Sequence, residues 1–144
     1  MRYQEVRAAV ESPIQTAFGA LSPAVPVFFD GITAAPANAT TEYIRVNITF
    51  GLTTEQTLTT NLDRIRGSIV IRVYTEKGQG PARNQTLINT AVTTLTSLSA
   101  STRQATGIYL RPGSINGPTF SATEAAPHLV GRIDTAFMAE DAGP

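Results

Sequence analysis

The sequence predicts an α+β fold in which two helices pack on one face of an antiparallel sheet of about four to six strands. Two observations support this prediction. Apolar residues recur at helical spacing in two segments, and three other segments alternate apolar and polar residues as half-buried strands do. Strands with one apolar and one polar face are typical of an antiparallel sheet that is covered on one side.

The first predicted helix spans residues 3–18 and the second begins at Pro81. Pro13 lies inside the first helix and predicts a break or kink there, because proline removes a backbone donor. The second helix is rich in threonine, so tertiary packing must hold it. The apolar stripe of the first helix comprises Val6, Val10, Ile14, Ala17 and Phe18. The stripe of the second comprises Leu87, Ile88, Ala91, Leu95 and Leu98.

Residues 42–50, 63–75 and 128–138 give the three alternating strands. Gly67 is a candidate β-bulge in the second of them. The residues expected on their apolar faces are Ile44, Val46, Ile48 and Phe50, then Ile65, Ile69, Ile71 and Val73, then Ile133, Thr135 and Phe137. Shorter extended segments are predicted at 25–29, where Pro26 indicates a sheet edge or the start of a strand, and at 108–110.

The length of 144 residues predicts one domain over residues 1–144. Segments rich in small residues, threonine, proline and glycine predict exposed loops at 31–41, 51–61 and 112–127. A short polar tail is expected at 139–144.

Composition and spacing predict no catalytic residue, no cofactor site and no metal site, and hence no enzyme. The chain has no cysteine and one histidine, His128, which is expected to begin a strand. Eleven basic and eleven acidic residues give a net charge of zero, which argues against specific nucleic-acid binding. No apolar run approaches ~20 residues, so no membrane span is expected.

The polar face of the predicted sheet is the candidate functional surface. Ten of the eleven basic residues are arginine, and arginine and tyrosine are enriched at protein interfaces. A solvated sheet face is the alternative interpretation. The residues predicted to make subunit contacts are Arg45, Arg64, Arg66, Arg72, Tyr74, Arg132 and Asp134.

Three stretches of the sequence resemble the tail terminator family of long-tailed bacteriophages. They are the opening segment 3–11 with the 25–31 strand, the paired strands 43–50 and 67–74, and the segment 73–83. The last of these joins a strand through Gly78-Gln79-Gly80 to a helix with an early arginine, Arg83. The resemblance covers nearly the whole chain in element order.

The resemblance implies a structural virion protein that closes into a ring, expected to be a hexamer, on the end of the tail tube. Such a ring would end tube polymerisation and join the tail to the neck, after assembly in the host cytoplasm. The implied partners are other copies of the chain, the tail tube protein, a neck or connector protein and, in a contractile tail, the sheath protein. DNA would pass through the ring. The alternatives are another neck component, such as a head-completion or stopper protein, or a small monomeric ligand-binding or enzymatic domain.

Overall fold

Two helices and five strands make up the computed structural model, which describes residues 3–21, 25–30, 42–55, 63–76, 81–101, 108–121 and 128–141. In chain order they are α1 (Tyr3–Gly19), β1 (Val27–Phe28), β2 (Tyr43–Glu55), β3 (Asp63–Glu76), α2 (Ala82–Ser101), β4 (Ile108–Ser121) and β5 (His128–Asp141). The helices pack against the sheet, so the predicted α+β class is confirmed.

The strands form one sheet in the order β1-β2-β3-β5-β4. Three of the four strand pairs are antiparallel, whereas β1 pairs parallel with β2 and makes the sheet mixed. Residues 29–42 separate β1 from β2, which gives the dozen or more residues that a parallel connection requires. The expected edge position of the first strand is confirmed.

The inner face of the sheet is the one that the helices cover, and its apolar residues are buried. Ile44, Ile71 and Ile133, from the three central strands, are each at most 1% exposed. Apart from Ala17, which is partly exposed, the predicted helix stripes are confirmed: Val6, Val10, Ile14 and Phe18 of α1 are buried, as are Leu87, Ile88, Ala91, Leu95 and Leu98 of α2. Burial of each such side chain contributes about 1.5–3 kcal/mol, so this layer is the main stabilising element.

Of the break or kink expected at Pro13, the break does not occur in the first helix. It runs continuously from Tyr3 to Gly19 with the proline inside. Val10 and Ile14, on either side of Pro13, are fully buried. Their packing offsets the roughly 3 kcal/mol that an internal proline costs a helix.

Gly67 does not form a bulge in β3, whose register with β5 is continuous. The irregularity lies on β2, between Phe50 and Thr53. Gly67 instead sits between two aromatic neighbours, Phe50 and Phe137, whose rings meet edge to face at 6.2 Å. A Cβ atom on Gly67 would lie 2.7 Å from the Phe137 ring, so glycine makes room for this aromatic contact.

Three segments expected to be loop or tail are partly strand. Residues 51–55 continue β2, residues 112–121 belong to β4, and residues 139–141 end β5. β4 is an edge strand, which can tolerate proline, and two register shifts adapt it to its glycine and proline residues. The predicted 31–41 loop lies outside the described residues.

A buried amide fixes the start of α2 to the sheet. Asn84 is 0% exposed, and its Nδ2 donates to the carbonyl oxygens of Val73 at 3.0 Å and Leu129 at 3.1 Å. A Cβ at Gly131 would collide with the Asn84 Oδ1 atom, so that glycine provides the space. Neither described helix is long and apolar enough to cross a membrane.

Candidate interaction surface

The outer face of the sheet, opposite the helices, carries every side chain that was predicted to make subunit contacts. Strand alternation places them there because their neighbours along each strand point into the core. Arg45 lies on β2, and Arg132 and Asp134 lie on β5. The remaining four, Arg64, Arg66, Arg72 and Tyr74, lie on β3.

Three of these arginines form one row across the three central strands. Arg45 of β2 is directly opposite Arg72 of β3, which is directly opposite Arg132 of β5. Neighbouring strands are about 4.8 Å apart, so three like charges follow one another at close spacing. Like charges directly opposite each other destabilise a strand pair. We refer to Arg45, Arg72 and Arg132 as the arginine row.

The described residues of the chain neutralise the arginine row only in part. Arg132 Nη2 lies 3.4 Å from Asp134 Oδ2, while Arg72 Nη1 donates a 3.0 Å hydrogen bond to the neutral amide oxygen of Asn47. Within the described residues, Arg45 has no ion pair. Among the side chains that the structure describes, one carboxylate therefore faces three guanidinium groups, which leaves an excess of positive charge there.

An aromatic pair flanks the arginine row. Tyr43 is opposite Tyr74, and their rings stack with centroids 4.3 Å apart and an interplanar angle of 5°. The Phe28 ring meets Tyr43 edge to face at 5.8 Å. Burial raises the pKa of Tyr43, and the charge of Tyr74 adds to this while that of Arg45 opposes it. The pair gives the surface a rigid, half-buried aromatic flank.

The other predicted arginines lie elsewhere on the outer face. Arg64 and Arg66 lie six or more residues from Arg72 along β3, which corresponds to about 20 Å. Arg64 makes a two-donor contact with Glu140 Oε1, at 3.0 Å from Nε and 2.5 Å from Nη2. The structure therefore divides the predicted surface into a row with excess charge and a distal group that includes a close ion pair.

Asp30 was not predicted as a site residue, yet its carboxylate binds three groups at the edge of the surface. Within the described part of the chain, β1 pairs with Ile44 and Arg45 of β2, and no described strand pairs with the edge of β2 beyond them. Asp30 Oδ2 accepts a 2.8 Å hydrogen bond from the backbone N of Ile48 on that edge. Asp30 also accepts from Arg7 Nη1 and Asn47 Nδ2, each at 2.7 Å.

This carboxylate links helix α1 to the arginine row. Asn47 donates to Asp30 and accepts from Arg72, so a chain of hydrogen bonds runs from Arg7 to the outer face. Burial raises the pKa of Asp30, but the hydrogen bonds from Ile48, Arg7 and Asn47 outweigh it and hold the pKa below its usual range. The same hydrogen bond with Asp30 raises the pKa of Arg7. Sequence periodicity could not identify Asp30, because Asp30 lies after β1 and outside any alternating pattern.

The chemistry that this surface offers is recognition of negative charge. Guanidinium groups present several N–H donors to carboxylates or phosphates. Among the residues that the structure describes, no group of three or more His, Cys, Asp or Glu side chains could hold a metal ion. The arginine row and its tyrosine flank are therefore the candidate site.

Comparison with known proteins establishes the fold class alone. No protein-family model matches the sequence, and no curated protein matches it. Among solved structures, the chain is similar to one with a TM-score of 0.68 and 22% identity over 96% of both chains. Similarity at that identity shows the fold alone and agrees with the α+β class.

Proposed function

We propose that this chain is a non-catalytic structural subunit that forms a ring on the end of a phage tail tube. The ring would end tube polymerisation and join the tail to the neck, as the resemblance to tail terminators implies. It would lie at the neck of the virion, contact the tube and a neck protein, and let DNA pass without specific binding.

The observation that carries this proposal is the arginine row. Repulsion between like charges lowers the stability of the isolated subunit. A partner that supplies negative charge would relieve this repulsion, and the relief would favour binding. The stacked Tyr43 and Tyr74 next to it add rigid aromatic area, which is typical of the residues that dominate binding energy. Both features fit a subunit whose outer face is covered on assembly.

The mechanism on this account is steric and cooperative. A contact between two different patches of identical subunits generates a closed ring when the rotation between neighbours closes. A ring whose two faces differ can match the tube end on one face and present a different surface on the other. Growth would stop because the exposed ring face no longer resembles the tube.

The test is the mass and location of the purified protein, alone and with tail tubes, by light scattering and negative-stain imaging. We expect a ring at one end of each tube. A chain that is monomeric alone still agrees with the proposal if it forms rings on tubes. A chain that leaves tube ends bare contradicts it.

The Arg72→Glu variant tests the role of the outer face. We expect it to fold normally and to lose most ring formation on tubes, because it places a negative charge inside the arginine row. The double variant Gln85→Glu/Thr86→Glu is the control, since it also changes the net charge by two units but at exposed positions of α2. Equal ring formation by wild type and Arg72→Glu would remove the outer face from the interface.

A further inference from the structure

An aromatic row runs alongside the arginine row on the outer face of the sheet. Tyr43 and Tyr74 lie opposite each other on β2 and β3, as do Arg45 and Arg72. Each tyrosine is two residues from the arginine on its own strand, which corresponds to about 6.7 Å. The two tyrosine rings are stacked, and we refer to them as the tyrosine pair.

The opposite side of the arginine row is more polar. Asn47 of β2 and Asp134 of β5 lie there, with Val70 of β3 between them. Asn47 already accepts a hydrogen bond from Arg72, and Asp134 brings a negative charge. A ligand that covers the arginine row therefore finds aromatic surface on one side only. Such a ligand would be negatively charged over the row and apolar over the tyrosine pair.

The spacing of the arginine row fits an α-helix better than an extended chain. Its three members span two strand separations, which is about 10 Å. On a helix, residues i, i+4 and i+7 lie on one face and span about 10.5 Å. Alternate residues i, i+2 and i+4 of an extended chain span about 13 Å. Three carboxylates on one helix face can therefore each meet one arginine.

We infer that the outer face binds an acidic amphipathic helix of a partner protein, which lies across the strands. A helix is about 10 Å wide, so it covers the arginine row and the tyrosine pair together. Its carboxylates pair with the guanidinium forks, and its apolar residues pack on the tyrosine rings. The inference rests on the proposed function, in which the outer face is covered on assembly, and it names the chemistry of the partner.

The helices of a second copy of this chain do not provide such a ligand. Helix α1 contains two acidic residues, Glu5 and Glu11, and Arg7 Nη1 of the same helix lies 3.3 Å from Glu11 Oε2. The apolar stripe of α1 is buried in the core of its own subunit. Helix α2 contains no acidic residue. We therefore assign the docked helix to a different protein.

A synthetic peptide tests the docking. The probe is a helical peptide of about 20 residues with glutamates at i, i+4 and i+7 beside a leucine stripe. The control peptide has the same composition but alternates glutamate and leucine, which gives the charges the spacing of an extended chain. Binding is measured by fluorescence anisotropy in low salt. The helical peptide should bind at least about tenfold more tightly than the control.

Charge reversal tests whether the arginine row is the contact. Arg72→Glu should weaken binding of the helical peptide at least about tenfold, because it places a carboxylate among the glutamates. A peptide whose central glutamate is replaced by lysine should bind Arg72→Glu more tightly than it binds wild type. The control variant Gln85→Glu/Thr86→Glu changes the net charge equally on α2 and should bind the helical peptide as wild type does. Circular dichroism verifies that both variants fold.

Amide chemical shifts locate the bound peptide. Shifts of residues 43–47, 70–74 and 130–134 should move on titration, because these segments form the two rows. The amides of α2 should stay in place, since that helix lies on the other side of the sheet.

Several outcomes would overturn the inference. They are no binding of the helical peptide, equal affinity for the two peptides, equal binding by wild type and Arg72→Glu, and shifts confined to the helices. Self-association that Arg72→Glu abolishes, without peptide binding, would assign the arginine row to a second copy. A duplex oligonucleotide that displaces the peptide and fails to bind Arg72→Glu would assign the row to phosphates.

The inference and the proposed function can fail separately. Tube capping by a chain that does not bind the peptide would reject the docked helix and leave the proposed function standing. Peptide binding by a chain that leaves tube ends bare would reject the proposed function and keep the docking surface.

Discussion

The two faces of the sheet arise from one alternating sequence pattern, but the helices of the chain cover only the inner face. On the inner face, Ile71 is fully buried beneath the helices. One residue later on the same strand, Arg72 faces outward in a row of like charges. The inner face is covered by the helices, whereas the outer face carries more guanidinium groups than carboxylates among the described side chains of the arginine row. On the proposed function, stability and assembly would depend on opposite sides of one strand.

The largest expected effect is a difference in stability between substitutions at two adjacent residues, one on each face of the sheet. Ile71→Ala should lower the free energy of unfolding by about 2–5 kcal/mol, because it opens a cavity in the core. Arg72→Ala should change it by no more than about 0.5 kcal/mol, since it removes an incompletely neutralised charge. Urea denaturation of both variants measures the difference. Similar losses from the two substitutions would show that the faces are not separated in this way.

A smaller loss is expected at the junction of α2 with the inner face. Asn84→Ala leaves the carbonyl oxygens of Val73 and Leu129 without their amide donor and should cost about 1–3 kcal/mol. Asn89→Ala, at an exposed position of the same helix, is the matched control and should be near neutral. Thermal unfolding of the pair provides the measurement, and equal midpoints would disprove the anchoring role.

The smallest loss of stability is expected at the sheet edge that Asp30 binds, and this loss should depend on pH. Asp30→Asn keeps the side-chain shape but removes the negative charge that Arg7 and Ile48 bind, and should cost about 1 kcal/mol at neutral pH. Because the folded pKa of Asp30 is lowered, its contribution is complete above the unfolded pKa and is lost as pH falls through the folded value.

Denaturation of wild type and Asp30→Asn between pH 7 and acid conditions below the ordinary carboxylate pKa of about 4 checks this dependence. The two stability curves should converge as the medium becomes acidic, since protonation removes the same charge as the substitution. A difference that stays constant with pH would show that the charge of Asp30 does not stabilise the fold.

Periodicity in the sequence predicted most of both faces. The alternation from Ile44 to Phe50 and from Ile69 to Val73 has the period of a strand, and neither segment contains a competing signal. The stripe of α2 was equally clear. These predictions succeeded because burial of a regular apolar pattern dominates the energetics of a small domain.

The elements that were missed lack such a pattern or depend on tertiary context. Strand β4 contains Pro112, Gly113, Gly117 and Pro118, which ordinarily end a strand, and it is accommodated at an edge through two register shifts. Pro13 was expected to break or kink α1, but the helix continues through it with buried residues on either side. In both cases packing against neighbours overrides a local signal.

The sequence predicted which residues belong to the candidate site, but not how they are arranged. Sequence alternation placed Arg45, Arg72 and Arg132 on one face, but only the strand order and register show that they form a row. The same holds for the stacking of Tyr43 on Tyr74. Register is set by which strands pair and where the bulges fall, and neither is encoded in the pattern of a single strand.

Residue-level solvent labelling tests most directly whether the outer face is covered on assembly. Hydroxyl-radical labelling of Tyr43 and Tyr74 would be compared between the dilute chain and the chain assembled on tail tubes. Tyr3, on helix α1 and 45% exposed, provides the internal reference. We predict that labelling of Tyr43 and Tyr74 falls on assembly while that of Tyr3 stays constant. Unchanged labelling of both outer-face tyrosines in the assembled sample would contradict the assignment of this face to subunit contacts.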